Sequence, residues 1–443
     1  MGFLEVLDVV CQTITVRKLR YKIPKKKGMK MSLKAEMNDW IQRICQEDGG
    51  LELMEKAQIH DLAENIRLNP ELSWKEYNAC KIQVEYLKKH HFSVTTSYCG
   101  MDTAYRAEYS VGDGGPVFAF CAEYDALPDI GHACGHHLIC GSALTAALLT
   151  QKYLQSRGVK GKVVLFGCPA EETGGGKTKM AAVGALDDVD ALMMAHPTGG
   201  TKAVICEYAG VCSAEVFFRC EKSGSPVARF ANPTFANPLD AQVLLYQAVA
   251  LKRHYTPVNS AIVGVINDGG VRANVIPRQT VSKYTLRSPD IKVLYGLGRM
   301  LEMMAKGAAM MTGTTAEVKL SVTSQPTIPC LPLSNAFLDA IEARGISVPE
   351  ERGTTFGALA GTDFGNFSQL RPGVHVHFPI GQSVAHHSPE FAEAAGTEEA
   401  YRSMFAAGTA MACVGIRFLS DASYRKGVQK AFRYEKKQVN KGA

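Results

Sequence analysis

Residues 129–140, DIGHACGHHLIC, place three of the chain's twelve histidines (His132, His136, His137) beside two of its thirteen cysteines, Cys134 and Cys140. Nitrogen and sulfur donors at this density suit a divalent transition ion. The two cysteines lack the paired-thiol spacing of a structural zinc site, so other donors must come from elsewhere in the chain. Glu123 and Asp125, the pair Glu171 and Glu172, His196, and the pair His386 and His387 are the candidates. Taken singly each has a plainer reading. His196 reads as a satisfied core histidine, the paired acids as a solvated turn, and Cys134 as a buried thiol that packs like a small hydrophobe.

What joins them is their place on the elements. Continuous apolar runs at 116–128, 162–172, 190–197 and 374–381 read as buried strands, and 141–158 has a helical pattern. Strands alternating with helices predict an open α/β sheet with helices on both faces. The candidate donors fall at or just after the carboxyl ends of those strands, where such sheets bind ligands. Coincidence at successive strand ends makes a metal site the reading the residues support. Between about 209 and 325 the rhythm changes to strand, helix, two strands, helix, strand, a ferredoxin-like α+β unit inserted into the larger domain. The predicted organisation is therefore a basic N-terminal extension (1–34), a catalytic domain in two parts (35–208 and 326–443, the second with a basic tail) and the insert (209–325).

Composition narrows the function. The formal net charge of +6 resides in the ends, +7 in residues 1–34 and +5 in 421–443, leaving −6 for the rest. Basic ends without interleaved aromatics are solvated tails, and neither nucleic acid nor membrane is an expected partner. Scattered cysteines in odd number, with no secretory pattern at the start, predict a cytoplasmic protein with reduced thiols. GGGKT (174–178) mimics a phosphate loop, but the required earlier glycine falls at Glu171, and the run reads as a flexible turn.

The ordered motifs AEYDALPDIGHACGHHLI, PAEETGGGK, MAHP, GGVRANVIP, LRSPD, GTDFGNFS and HHSPEF resemble the amidohydrolase branch of the M20 metallopeptidases. That branch includes the hippurate, auxin-conjugate and Xaa-Arg or β-alanyl-lysine dipeptidase-like hydrolases. The resemblance runs from about residue 35 to 420. It implies a catalytic domain with an inserted lid that forms a homodimer, and a small-molecule amide or dipeptide-like substrate with a carboxylate. It also implies two divalent ions held by Cys134, His136, Glu172, His196 and His387, with Cys134 bridging. Zinc suits that donor set, with manganese or cobalt as alternatives. By the same resemblance Glu171 is the general base, Asp125 orients a ligand histidine, and Asn274 and Arg287 hold the substrate's carboxylate.

Two positions depart from the branch. His137 stands where Asn or Asp is common. The lid histidine that stabilises a tetrahedral oxyanion is missing, and an ungapped count back from LDA puts Val227 there, with Arg229 a nearby source of positive charge. Three functions stay open: a working amidohydrolase, a biosynthetic acyl-transfer or amide-forming enzyme on the same scaffold, and a non-catalytic metal- or ligand-binding protein.

Overall fold

The computed structural model describes residues 51–173, 175–221, 236–321 and 324–441. The basic N-terminal extension, Val227 and Arg229 lie outside the described residues. Helices α1 (Leu53–Leu68) and α2 (Tyr77–Lys89) lead to β1 (Ser93–Thr96) and β2 (Tyr105–Val111). Then come β3 (Val117–Ala122), α3 (His136–Arg157), β4 (Gly161–Gly167), α4 (Gly176–Ala182) and β5 (Ala191–Thr198). A long strand, β6 (Val204–Arg219), is followed by α5 (Pro238–Lys252), β7 (Ala261–Asp268), β8 (Gln279–Ser288), α6 (Ile291–Thr312) and β9 (Thr315–Leu320). The rest is α7 (Leu331–Glu342), β10 (Thr354–Gly361), α8 (Phe364–Ser368), β11 (Gly373–Pro379), α9 (Pro389–Ala394), α10 (Glu398–Ser420) and α11 (Ala422–Lys441).

The larger sheet runs β1-β2-β4-β3-β5-β11-β6, and its centre, β4, β3, β5 and β11, is parallel. Its strands read as unbroken apolar runs because both faces are covered. Along β3, Phe118 and Phe120 enter one core with Leu144 of α3, Met404 of α10 and Phe337 of α7. The intervening Ala119 and Cys121 enter a second core with Met180 of α4 and with Phe364 and Phe367 of α8. Helix α10 is long and apolar enough to cross a bilayer, yet 72% of its most apolar window is buried inside the protein.

The insert has sheet order β9-β6-β8-β7 with every neighbour antiparallel, and α5 and α6 supply Leu245 and Leu301 to its own core. This is the split βαββαβ arrangement expected of a ferredoxin-like unit. One strand belongs to both sheets. The first residues of β6 pair with β10 and β11, and from Gly210 onward it pairs with β8. The expected domain boundary at 209 falls inside this strand.

Two local expectations are corrected. Helix α3 begins at His136, five residues before the expected start, because Gly135 takes the left-handed conformation (φ 76°) as its N-cap and admits both histidines to the first turn. The later part of GGGKT is helical in place of the expected flexible turn. Gly176 and Lys177 open α4, and the Lys177 side chain is 0% exposed because two carboxylates receive it inside the protein.

Candidate metal centre

The site assembles where β3, β4, β5 and β11 end. Cys134 and His136 flank Gly135, whose missing side chain matters: a Cβ there would lie 2.6 Å from Cγ of Pro197. That close approach brings Cys134 Sγ to 3.4 Å from His196 Nε2. Glu171 and Glu172 project from a turn in which Ala170 is left-handed (φ 56°), a conformation costly for alanine. Buried Glu76 pins it, accepting the Ala170 N–H at 2.8 Å while Thr103 caps its other oxygen. His387 is also left-handed (φ 62°), and its N–H donates to the carbonyl of Ala133, tying the last histidine to the residue before Cys134.

Asp125 organises the centre from behind. It accepts from His136 Nδ1 at 3.0 Å, from the Ser73 hydroxyl at 2.8 Å and from the Glu172 N–H at 3.0 Å. Burial alone would raise its pKa, but the His136 hydrogen bond and charge, with the other donors, lower it to about 2. An ionised Asp125 holds the proton on Nδ1 and turns Nε2 toward the site, where a cation would take its lone pair.

That Nε2 is buried without a hydrogen-bond partner, 3.7 Å from Glu172 Oε1 and 3.9 Å from Glu171 Oε2. Glu172 Oε1 lies 3.4 Å from His387 Nε2. These separations are wide for hydrogen bonds. Donors about 2.0–2.3 Å from one tetrahedral ion sit about 3.4–3.6 Å apart, so the spacing fits ligands around cations. Two groups of donor atoms meet at one thiol, Cys134 with His136 and His196, and Cys134 with Glu172 and His387, and a third joins Glu123, His136 and Glu171; inside each group the atoms lie within 4.8 Å of one another.

Electrostatics points the same way. Burial pushes the Cys134 thiol up. Burial and the charges of Glu123, Glu172 and Asp363 hold Glu171 well above the usual carboxylate range. His136 is raised far above an ordinary histidine, Cys134 and Asp125 outweighing the burial that opposes protonation. Anions that retain protons form a cluster short of positive charge, and bound divalent cations would reverse that balance.

A cavity of about 640 Å³ opens over these groups, lined by Cys134, Glu171, Glu172, His196, Tyr208 and His387 on one side and by Arg287, Ser213 and Ser321 of the insert on the other. Its size suits a small molecule. Arg287 of β8 therefore reaches the site. Asn274, exposed in the turn before β8, is not part of the cavity wall. His132 and His137 turn away from it: their rings lie 5.3 Å apart, and His137 Nε2 bonds the Ala395 carbonyl.

Three features carry contacts that the sequence did not reveal. Glu123 marks the end of the first strand, but nothing in its spacing shows that it meets Lys177. Asp363, in GTDFGNFS, closes that ion pair from 186 residues away. His375 and His377 alternate along β11 on the site's face, and Tyr208 stacks on His375 with ring centroids 5.2 Å apart. The period-two VHVH pattern is the signal that could have revealed that face.

Comparison with known proteins adds the family. A family model, Peptidase family M20/M25/M40, matches residues 119–409. Xaa-Arg dipeptidase of Mus musculus is 31% identical over 375 residues, 82% of this chain and 86% of that protein. Among solved structures, a dinuclear metal-binding M20 peptidase of Bacillus subtilis superposes with a TM-score of 0.57 at 22% identity, covering 80% of this chain and 98% of its own. The aminobenzoyl-glutamate utilization protein of Klebsiella pneumoniae gives 0.62 at 16% identity, covering 87% and 99%. At these identities the two structures speak for the fold.

Proposed function

The chain belongs to peptidase family M20/M25/M40 and is a metal-dependent hydrolase of amide bonds, and we propose that its substrate is an N-acyl amino acid or dipeptide-like compound with a free carboxylate. The observation that carries this reading is the meeting of two donor groups at Cys134, beside Glu171, in a cavity with a guanidinium on its far wall. Cys134, His136 and His196 would hold one divalent ion, and Cys134, Glu172 and His387 a second. Such ions supply the positive charge that acidifies an attacking water and polarises an amide carbonyl.

The chain's own residues do the rest. Asp125 keeps His136 in one tautomer and one orientation. Glu171, the acid of the pair outside both groups that share the thiol, takes the proton from the attacking water and delivers it to the leaving amine. Arg287 pairs with the substrate's carboxylate. Arg229, by its place in the sequence near the branch's lid histidine, is the candidate source of positive charge for the developing oxyanion.

Zinc is the preferred ion by donor type, with manganese and cobalt next. Val263 and Val265, 51% and 56% exposed on the lid's edge strand β7, support homodimerisation through that domain. Scattered cysteines without a paired framework in the sequence support a cytoplasmic setting.

Elemental mass spectrometry of the untreated protein tests the centre: about two divalent ions per chain are expected, with fewer in Cys134→Ala and Glu172→Ala. Glu171→Gln should keep the ions and lose turnover of N-acyl amino acids or dipeptides. Absence of ions even after reconstitution would sink the mechanism. Activity only on joining a specific amine and acid would redirect the reading to amide formation.

A further inference from the structure

Glu123, just past β3, is fully buried, and its two oxygens face different groups. Oε1 lies 2.6 Å from Lys177 Nζ, and Oε2 lies 3.6 Å from His136 Nε2. Lys177 is itself held by Asp363, which receives both its ammonium and its backbone N–H. Two carboxylates therefore surround one ammonium where every side chain is at most 1% exposed, leaving one negative charge in excess. Burying an unmatched charge is strongly unfavourable unless a cation accompanies it.

His136 gives its Nδ1 to Asp125 and turns Nε2 toward Oε2 of Glu123 across 3.6 Å. Neither atom has a hydrogen-bond partner. The gap equals the edge expected between two donors on one ion, about 3.4–3.6 Å. Glu123, His136 and Glu171 also place their donor atoms within 4.8 Å of one another.

We propose that Glu123 is a further ligand of the ion held by His136, with Lys177 orienting it through the opposite oxygen. This rests on the metal-centre reading above. An added oxygen donor gives the His136 half a higher coordination number than the His387 half and shifts its preference toward oxygen-seeking ions such as manganese. Lys177 acts here as a positioning residue: anchored by Asp363, it fixes which Glu123 oxygen is presented.

The test uses metal-free full-length protein, wild type beside Glu123→Gln and Glu123→Asp, titrated with Zn2+ and Co2+ against a chromophoric chelator. Glu123→Asp keeps a charge beside Lys177 while withdrawing the ligand oxygen, and serves if the glutamine variant fails to fold. The expected result is two ions in the wild type. In the variants one ion should bind normally and the other about 10–100-fold more weakly, with a changed intensity of the Co2+ visible absorption. Unchanged affinities and spectrum in a folded variant would reduce Glu123 to a counter-ion of Lys177 and overturn the proposal. A wild type that takes up no ion removes the metal centre itself, and this proposal with it.

Discussion

Gly135 and Gly158 cap the two ends of α3, both left-handed, at φ 76° and φ 61°. They make a matched pair for Gly→Ala exchange. A Cβ at Gly158 meets nothing within 4 Å, so Gly158→Ala carries only the left-handed penalty, about 1 kcal/mol. At Gly135 the new Cβ would stand 2.6 Å from Pro197 Cγ and 3.3 Å from Phe391 Cε1. Relieving that contact adds an overpacking term of about 1–3 kcal/mol, for a total of about 2–4 kcal/mol. The relief must also move Pro197, and with it His196, away from Cys134. Urea unfolding of the metal-free variants measures the stability difference, and zinc titration measures the site. Gly135→Ala should unfold at clearly lower urea than Gly158→Ala and bind zinc more weakly, while Gly158→Ala binds as the wild type does. Equal midpoints and equal zinc binding would refute the argument that the Gly135–Pro197 approach sets the spacing of the ligands.

Three further outcomes follow from the same geometry. Asp125→Asn removes the charge that fixes the His136 tautomer and should weaken metal affinity about 10–100-fold by competition titration, with the fold intact by circular dichroism. Arg287→Ala should raise KM for a carboxylate-bearing substrate about tenfold or more with little change in kcat, and leave an amidated analogue unaffected. Away from the site, burial raises Glu435 to about 7, with one oxygen accepting the Leu331 N–H at 3.2 Å. A carboxyl raised on folding contributes stability fully below its unfolded value of 4.5, and that contribution is lost as pH climbs through about 7. The full shift corresponds to about 3 kcal/mol, reduced by the group's partial exposure to about 1–2 kcal/mol. Glu435→Gln should therefore resist urea better than the wild type at pH 8.5 and about equally at pH 5; a difference independent of pH would exclude ionisation of Glu435 as the cause.

The parallel strands were legible because a strand covered on both faces leaves an unbroken apolar run, as 162–167 does. The ligand candidates were legible because the fold puts them at strand ends, and His136, His196 and His387 carry donor chemistry wherever they appear. The Lys177 contacts were not. A lysine after three glycines carries the local signature of a turn, and only the chain folding Asp363 and Glu123 around it makes burial tolerable. The early start of α3 was hidden for a related reason: His136 and His137 are helical because Gly135 is pressed against Pro197, a contact between segments 62 residues apart. The double service of β6 was masked by its mixed burial, partly exposed residues interrupting the apolar ones from Val204 to Tyr208.

That shared strand bears on how the cavity opens. At Ala209 and Gly210 the backbone passes from partnership with β10 to partnership with β8 without an unpaired residue, and a bridge from Val211 to Ser324 braces the return path. The two bodies are joined there by a torsion bar. Swinging the insert outward must twist β6 along its length against two sets of ladder bonds, so the restoring torque grows with the angle. An outward swing of the insert would therefore be resisted by β6 itself, with its pivot near residue 210.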